Sequence, residues 1–150
     1  MPVHVKRRRG IPQTNAAKFR YRAQRLMKLL EIEDKELSIL LTDDSEMTEL
    51  NRSFRKRNRT TDVLAFSQLE GDRGDLHQEI LGDVVICVPQ AKRQAKRQGL
   101  SLSQELTVLL VHGTLHLLGH EHVGAGRRAA ADMRREQNYL VAILDGQTCR

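Results

Sequence analysis

Four of the six histidines fall within His112-Gly113-Thr114-Leu115-His116-Leu117-Leu118-Gly119-His120-Glu121-His122. Imidazole nitrogen is a common ligand for zinc and related ions. Residues four apart on an α-helix lie about 40° apart around the axis and roughly 6 Å along it, so the rings of His112 and His116 can converge on one ion. Gly119 permits the left-handed conformation that ends a helix, and the chain can then swing His122 back as a third ligand. Three nitrogens on a tetrahedral ion leave a fourth position open, the pattern of a catalytic rather than a closed structural site. Zinc leads on geometry and availability, although such a set also accepts nickel, cobalt or iron.

His120 lies four residues after His116 but beyond Gly119, so helical spacing no longer fixes its direction. It is read as a neighbour of the site or a substrate contact, outside the ligand set. Glu121 has three readings: a carboxylate that orients a ligating imidazole, a base, or a solvated loop residue. The spacing H-x₃-H-x₂-G-x₂-H is also that of the metzincin proteases, which place a glutamate directly after the first histidine as general base. Gly113 stands there in this chain and has no side chain to do that work. Peptide hydrolysis therefore ranks below another metal-assisted hydrolysis.

The elements that must position these residues are read from periodicity and caps. Ser101 followed by Gln104 is a capping box, opening a helix that runs through Leu118 to Gly119. Upstream, Val3 and Val5 suggest a short strand, and Asn15 to Leu30 an amphipathic helix with Phe19, Leu26, Leu29 and Leu30 apolar. Leu37 to Thr42 has strand length. Asp43 with Glu46 marks the start of a helix that places Met47, Leu50 and Phe54 on one face. Val63, Leu64 and Phe66 suggest a strand, Glu70 to Asp75 a loop, and Val84 to Val88 a strand bounded by Pro89. Gln90 to Gln98 reads as a short basic helix ended by Gly99, and Arg127 to Leu144 as a final helix with Met133, Leu140, Ile143 and Leu144 inward. Strands and helices mix without strict alternation, which predicts an α+β fold.

A chain of 150 residues without repeats or low-complexity linkers predicts a single domain over residues 1–150. Aromatics make up only 3%, which argues against an RNA surface built of many stacked rings. Lys and Arg number 25 against 19 Asp and Glu, giving a net charge of +6. Such a balance attracts polyanions, or belongs to a soluble protein that is merely cationic. Cys87 and Cys149 are too few and too distant for a disulfide framework, so a reducing compartment is expected. No apolar stretch follows the basic Lys6 to Arg9, and none is long enough to span a bilayer. The expectation is a cytoplasmic protein with no membrane partner.

Three stretches together resemble the YbeY family of bacterial rRNA-maturation endoribonucleases. His112 to His122 is similar to that family's H-G-x-L-H-L-x-G-[YH]-D-H signature. Leu50-Asn51-Arg52-Ser53-Phe54-Arg55, continuing to Thr61-Asp62-Val63-Leu64-Ala65-Phe66, resembles its L-N-x-x-[YF]-R…T-D-V-L-S-F. Leu81-Gly82-Asp83-Val84-Val85-Ile86 resembles its L-G-D-I-x-I strand. The resemblance implies a small mixed four-stranded sheet surrounded by about five helices, with one zinc ion held by His112, His116 and His122 in a cleft. It also implies single-strand-specific cleavage of RNA in 16S rRNA processing and ribosome quality control, with the small ribosomal subunit or its assembly factors as partners. Arg55 falls on the family's functionally important arginine.

Departures from the pattern are Glu121 for Asp, Thr60 for Pro, and Ala65 and Ser67 for Ser and Pro; none removes a ligand. A guanidinium can hold phosphate oxygens bidentately, which fits Arg55 to a catalytic role. Asp62 either caps the turn before Val63 or holds Arg55, and the structural role is favoured. Lys92, Arg93, Lys96 and Arg97 on one helix, and Arg127 and Arg128 on the last, are further candidates for an RNA track. The rival functions are a metallopeptidase with an atypical base such as Glu121, and a non-catalytic zinc-containing ribosome-assembly factor.

Overall fold

A computed structural model of the protein describes residues 3–11, 16–67, 80–119 and 127–148. The described chain runs β1 (Val3–Arg7), α1 (Ala16–Leu29), β2 (Glu36–Thr42), α2 (Asp44–Arg55), β3 (Val63–Ser67), β4 (Ile80–Cys87), α3 (Val88–Gln98), α4 (Leu102–Leu117) and α5 (Arg127–Thr148). The strands form a sheet in the order β1-β2-β4-β3. β2 pairs in parallel with β1 and with β4, whereas β3 runs antiparallel to β4. This mixed sheet with five described helices is the expected α+β architecture. The Glu70–Asp75 loop lies outside the described residues.

Period-2 alternation sends the two faces of the sheet to different helices. Val63 and Ala65 of β3 share a face with their partners Ile86 and Val84. This face meets α4 in a core that includes Leu26, Ile39, Val84, Ile86, Leu110, Leu115 and Leu144. The opposite face carries Leu64 and Val85, which pack with Met47 of α2, Cys87, Leu50 and Phe66. Arg22 ties α1 to α4 from inside: its Nη1 donates to Ser103 O (3.1 Å), Ser103 Oγ (2.6 Å) and Thr107 Oγ1 (2.9 Å).

The caps explain where the helices begin. Ser101 accepts from Gln104 N at 3.1 Å while the Gln104 side chain accepts from Ser101 N at 2.8 Å, the complete box expected. Asp43 accepts from Glu46 N at 2.9 Å, but the Glu46 carboxylate turns instead to Thr42 Oγ1 and to Arg8. Val88, expected at the end of a strand, is the first residue of α3. Pro89 sits in that helix's first turn, where its missing N–H has no intrahelical partner to lose. Phe54 is 65% exposed rather than buried with Met47, although its ring meets Phe66 edge-on at 5.0 Å. No described helix is long and apolar enough to cross a membrane.

Candidate active site

α4 is held against the sheet at Gly113. A Cβ there would lie 2.8 Å from Val84 Cγ1 and 3.2 Å from Val63 Cγ2. The contact fixes the depth of the helix, and His112 and His116 line the pocket beside it. The Nε2 atoms of the two histidines stand 2.8 Å apart, with ring centroids at 4.3 Å. Behind His112, Gln137 of α5 places its side-chain Oε1 2.7 Å from Nδ1. Gly119 has φ +86°, and its N–H donates to His116 O at 2.9 Å, so the helix ends where the sequence predicts.

Arg55 reaches the same place from α2. It is the last residue of that helix, which Lys56 ends in the left-handed conformation at φ 57°. Asn51, buried in the same helix, donates from Nδ2 to Arg59 O at 2.8 Å and tethers the segment that follows. That segment delivers Thr61, Asp62 and Val63 to the edge of the sheet. The result is a pocket of about 130 Å³ lined by Arg55, Thr61, Asp62, Val63, Ala65, His112, Gly113 and His116. Arg52 is paired with Glu49 at 2.7 Å, whereas no described carboxylate pairs with the exposed Arg55.

Asp62 takes the structural role. Its Oδ1 accepts from Val63 N at 2.8 Å, and its Oδ2 accepts from Gln94 Nε2 at 3.2 Å. The same Gln94 amide donates to Glu105 Oε2 at 2.8 Å. Burial pushes the Glu105 carboxyl above its ordinary range, with the nearby Asp62 charge adding to the effect. Cys87 does not supply a nucleophile: burial pushes its thiol up to about 11, so it stays protonated at neutral pH. Arg93, one of the further candidates for an RNA track, pairs with Asp44 at 2.7 Å and holds that carboxyl below its usual range. The side chains of Arg127 and Arg128 lie outside the described ones.

The two described histidines suit a metal of the zinc type. Two nitrogens on one tetrahedral zinc stand about 3.3 Å apart, so an opening of about half an ångström would seat an ion between them. A carbonyl oxygen at Nδ1 of His112 is the partner that turns Nε2 outward as a lone pair. His120, Glu121 and His122 lie outside the described residues. Among the described residues no group of three candidate ligands comes together.

Gln137 and Asn51 were not singled out from the sequence as parts of the site. A signal for Gln137 is nevertheless present: it falls four residues after Met133 and three before Leu140, both buried, on the stripe that continues to Leu144. A polar residue on a core stripe asks for a partner.

Comparison with known proteins gives a consistent result. The family model described as "Endoribonuclease YbeY" matches residues 5–145. A protein named endoribonuclease YbeY from Syntrophus aciditrophicus is 34% identical over 146 residues, covering 97% of this chain and 91% of the relative. Its namesake from Aquifex aeolicus is 41% identical over 122 residues, covering 81% and 79%. A Thermotoga maritima protein solved in solution superposes with a TM-score of 0.67 at 23% identity, covering 97% of this chain and 90% of that one, and supports the fold.

Proposed function

The chain belongs to the YbeY family of endoribonucleases, and on that premise we propose that it cleaves single-stranded RNA with the help of one zinc ion held by His112, His116 and His122. The observation behind this reading is the meeting of Arg55 with His112 and His116 around one small pocket, although they come from helices far apart in sequence. When bound, zinc supplies Lewis acidity toward a phosphoryl oxygen. Arg55 supplies a planar cation that binds two phosphate oxygens at once and offsets charge that builds in the transition state. Its lack of a described carboxylate partner leaves that fork available to substrate.

The place of action proposed is the cytoplasm, in one domain over residues 1–150, on 16S rRNA during its processing and in ribosome quality control. The small ribosomal subunit or its assembly factors are the partners. A protease-like general base at position 113 finds no support, because a side chain there would begin against Val84.

Metal analysis coupled to cleavage of a labelled single-stranded RNA tests the proposal. His116→Ala is expected to lose zinc and cleavage together. Arg55→Glu is expected to keep zinc and lose about 100-fold or more of the cleavage rate. Undiminished cleavage by metal-free wild-type protein would refute the metal mechanism.

A further inference from the structure

α5 buries Met133, Leu140 and Leu144, and Gln137 occupies the turn between them on the same stripe. An apolar residue would serve packing there. A glutamine instead brings its side-chain carbonyl to 2.7 Å from His112 Nδ1, while the opposite ring nitrogen faces His116. A carbonyl oxygen has no proton to give, so the ring nitrogen facing it must be the donor. In neutral imidazole one nitrogen carries the proton and the other the lone pair.

We infer that Gln137 is a positioning residue, whose side-chain carbonyl holds His112 in the Nδ1–H tautomer and keeps Nε2 free to ligate metal. The inference rests on the reading of His112 as a ligand. The geometry has a clear logic. His112 is anchored from behind by α5, so its ring is aimed before any ion arrives. Selecting the tautomer and the ring angle in advance removes a cost that metal binding would otherwise bear. Gln137 and His112 also border an open groove of about 350 Å³ lined largely by polar side chains, among them Asp62, Gln94 and Glu105, so the contact lies at the edge of the core beside the pocket.

The test uses full-length protein with ¹⁵N-labelled histidine, together with zinc affinity measured by chelator competition. In metal-free wild type, His112 is expected to be protonated on Nδ1. Gln137→Leu is expected to lose that preference and to bind zinc about 10- to 100-fold more weakly. Its melting temperature should change little, because position 137 is only partly buried and the apolar side chain gained there offsets the loss of one hydrogen bond. Gln137→Glu keeps an acceptor and cannot donate, so it should restore both the tautomer and most of the affinity. A merely structural glutamine would show the opposite pattern, with melting temperature falling and the tautomer unchanged.

Protonation of His112 on Nε2 in the wild type would overturn the inference, and that spectrum decides even if Gln137→Leu fails to fold. Normal zinc affinity and an unchanged tautomer in Gln137→Leu would also overturn it, leaving the ligand reading intact. Absence of zinc uptake by the wild type would overturn the ligand reading itself.

Discussion

Replacing Gly113 by alanine sets two opposed effects of known size against each other. Gly113 is inside α4, where alanine is favoured over glycine by about 0.8–1.0 kcal/mol. The added methyl, however, would lie 2.8 and 3.3 Å from the two γ-carbons of Val84 and 3.2 Å from Val63 Cγ2. Val84 is fully buried and paired on both sides, to Ile39 of β2 and Ala65 of β3. Its branched side chain has little rotamer freedom with which to step aside. Overpacking of this kind costs about 1–3 kcal/mol, so the clash outweighs the propensity gain and the net loss is up to about 2 kcal/mol. Urea denaturation of a double-mutant cycle with Val84→Ala measures this directly. Val84→Ala alone should lose about 2 kcal/mol, but much less in the Gly113→Ala background, where the methyl fills the vacated space. Lifting α4 from the sheet also moves both histidines relative to Arg55, and RNA cleavage should fall by up to about 100-fold. A Gly113→Ala variant more stable than wild type by the full propensity gain, with additive effects in the cycle, would refute the close approach.

Gly82 makes a harder demand on the same packing. Its φ is +147°, and a Cβ would lie 2.3 Å from Phe66 O and 2.9 Å from Leu117 Cδ2. A strand carbonyl cannot yield without disturbing the ladder, so Gly82→Ala should lose about 3–5 kcal/mol in urea denaturation. Glu105 should reveal itself by pH. Burial raises its folded pKa above the ordinary glutamate value of 4.5, so the folded state holds its proton more tightly than the unfolded chain. Its contribution is therefore most favourable below pH 4.5 and declines as pH rises from there through the folded value. Glu105→Gln should be more stable than wild type at neutral pH, with the gap closing in acid. A gap that widens as pH falls would contradict the burial.

What could be read from the sequence, and what could not, separates along the range of the forces involved. The Ser101–Gln104 box, the Gly99 and Gly119 stops and the i, i+4 pair of His112 and His116 depend on neighbours within one or two turns, and each is where periodicity places it. Glu46 followed the local rule only halfway, because Arg8 arrives from the end of β1 and competes for its carboxylate. Arg93 is by sequence one candidate for an RNA track, and only the fold brings Asp44, 49 residues away, beside it. The site divides in the same way. Its histidines announce themselves by spacing, whereas Arg55 is one cation in a basic run until the fold turns it into their pocket. Gln137 shows how the two kinds of information combine. Its stripe position is local and marks it as a polar group in an apolar row, but only the packing of α5 on α4 reveals that its partner is His112. A polar residue interrupting a core stripe is thus a reason to look across the interface for a group that needs orienting.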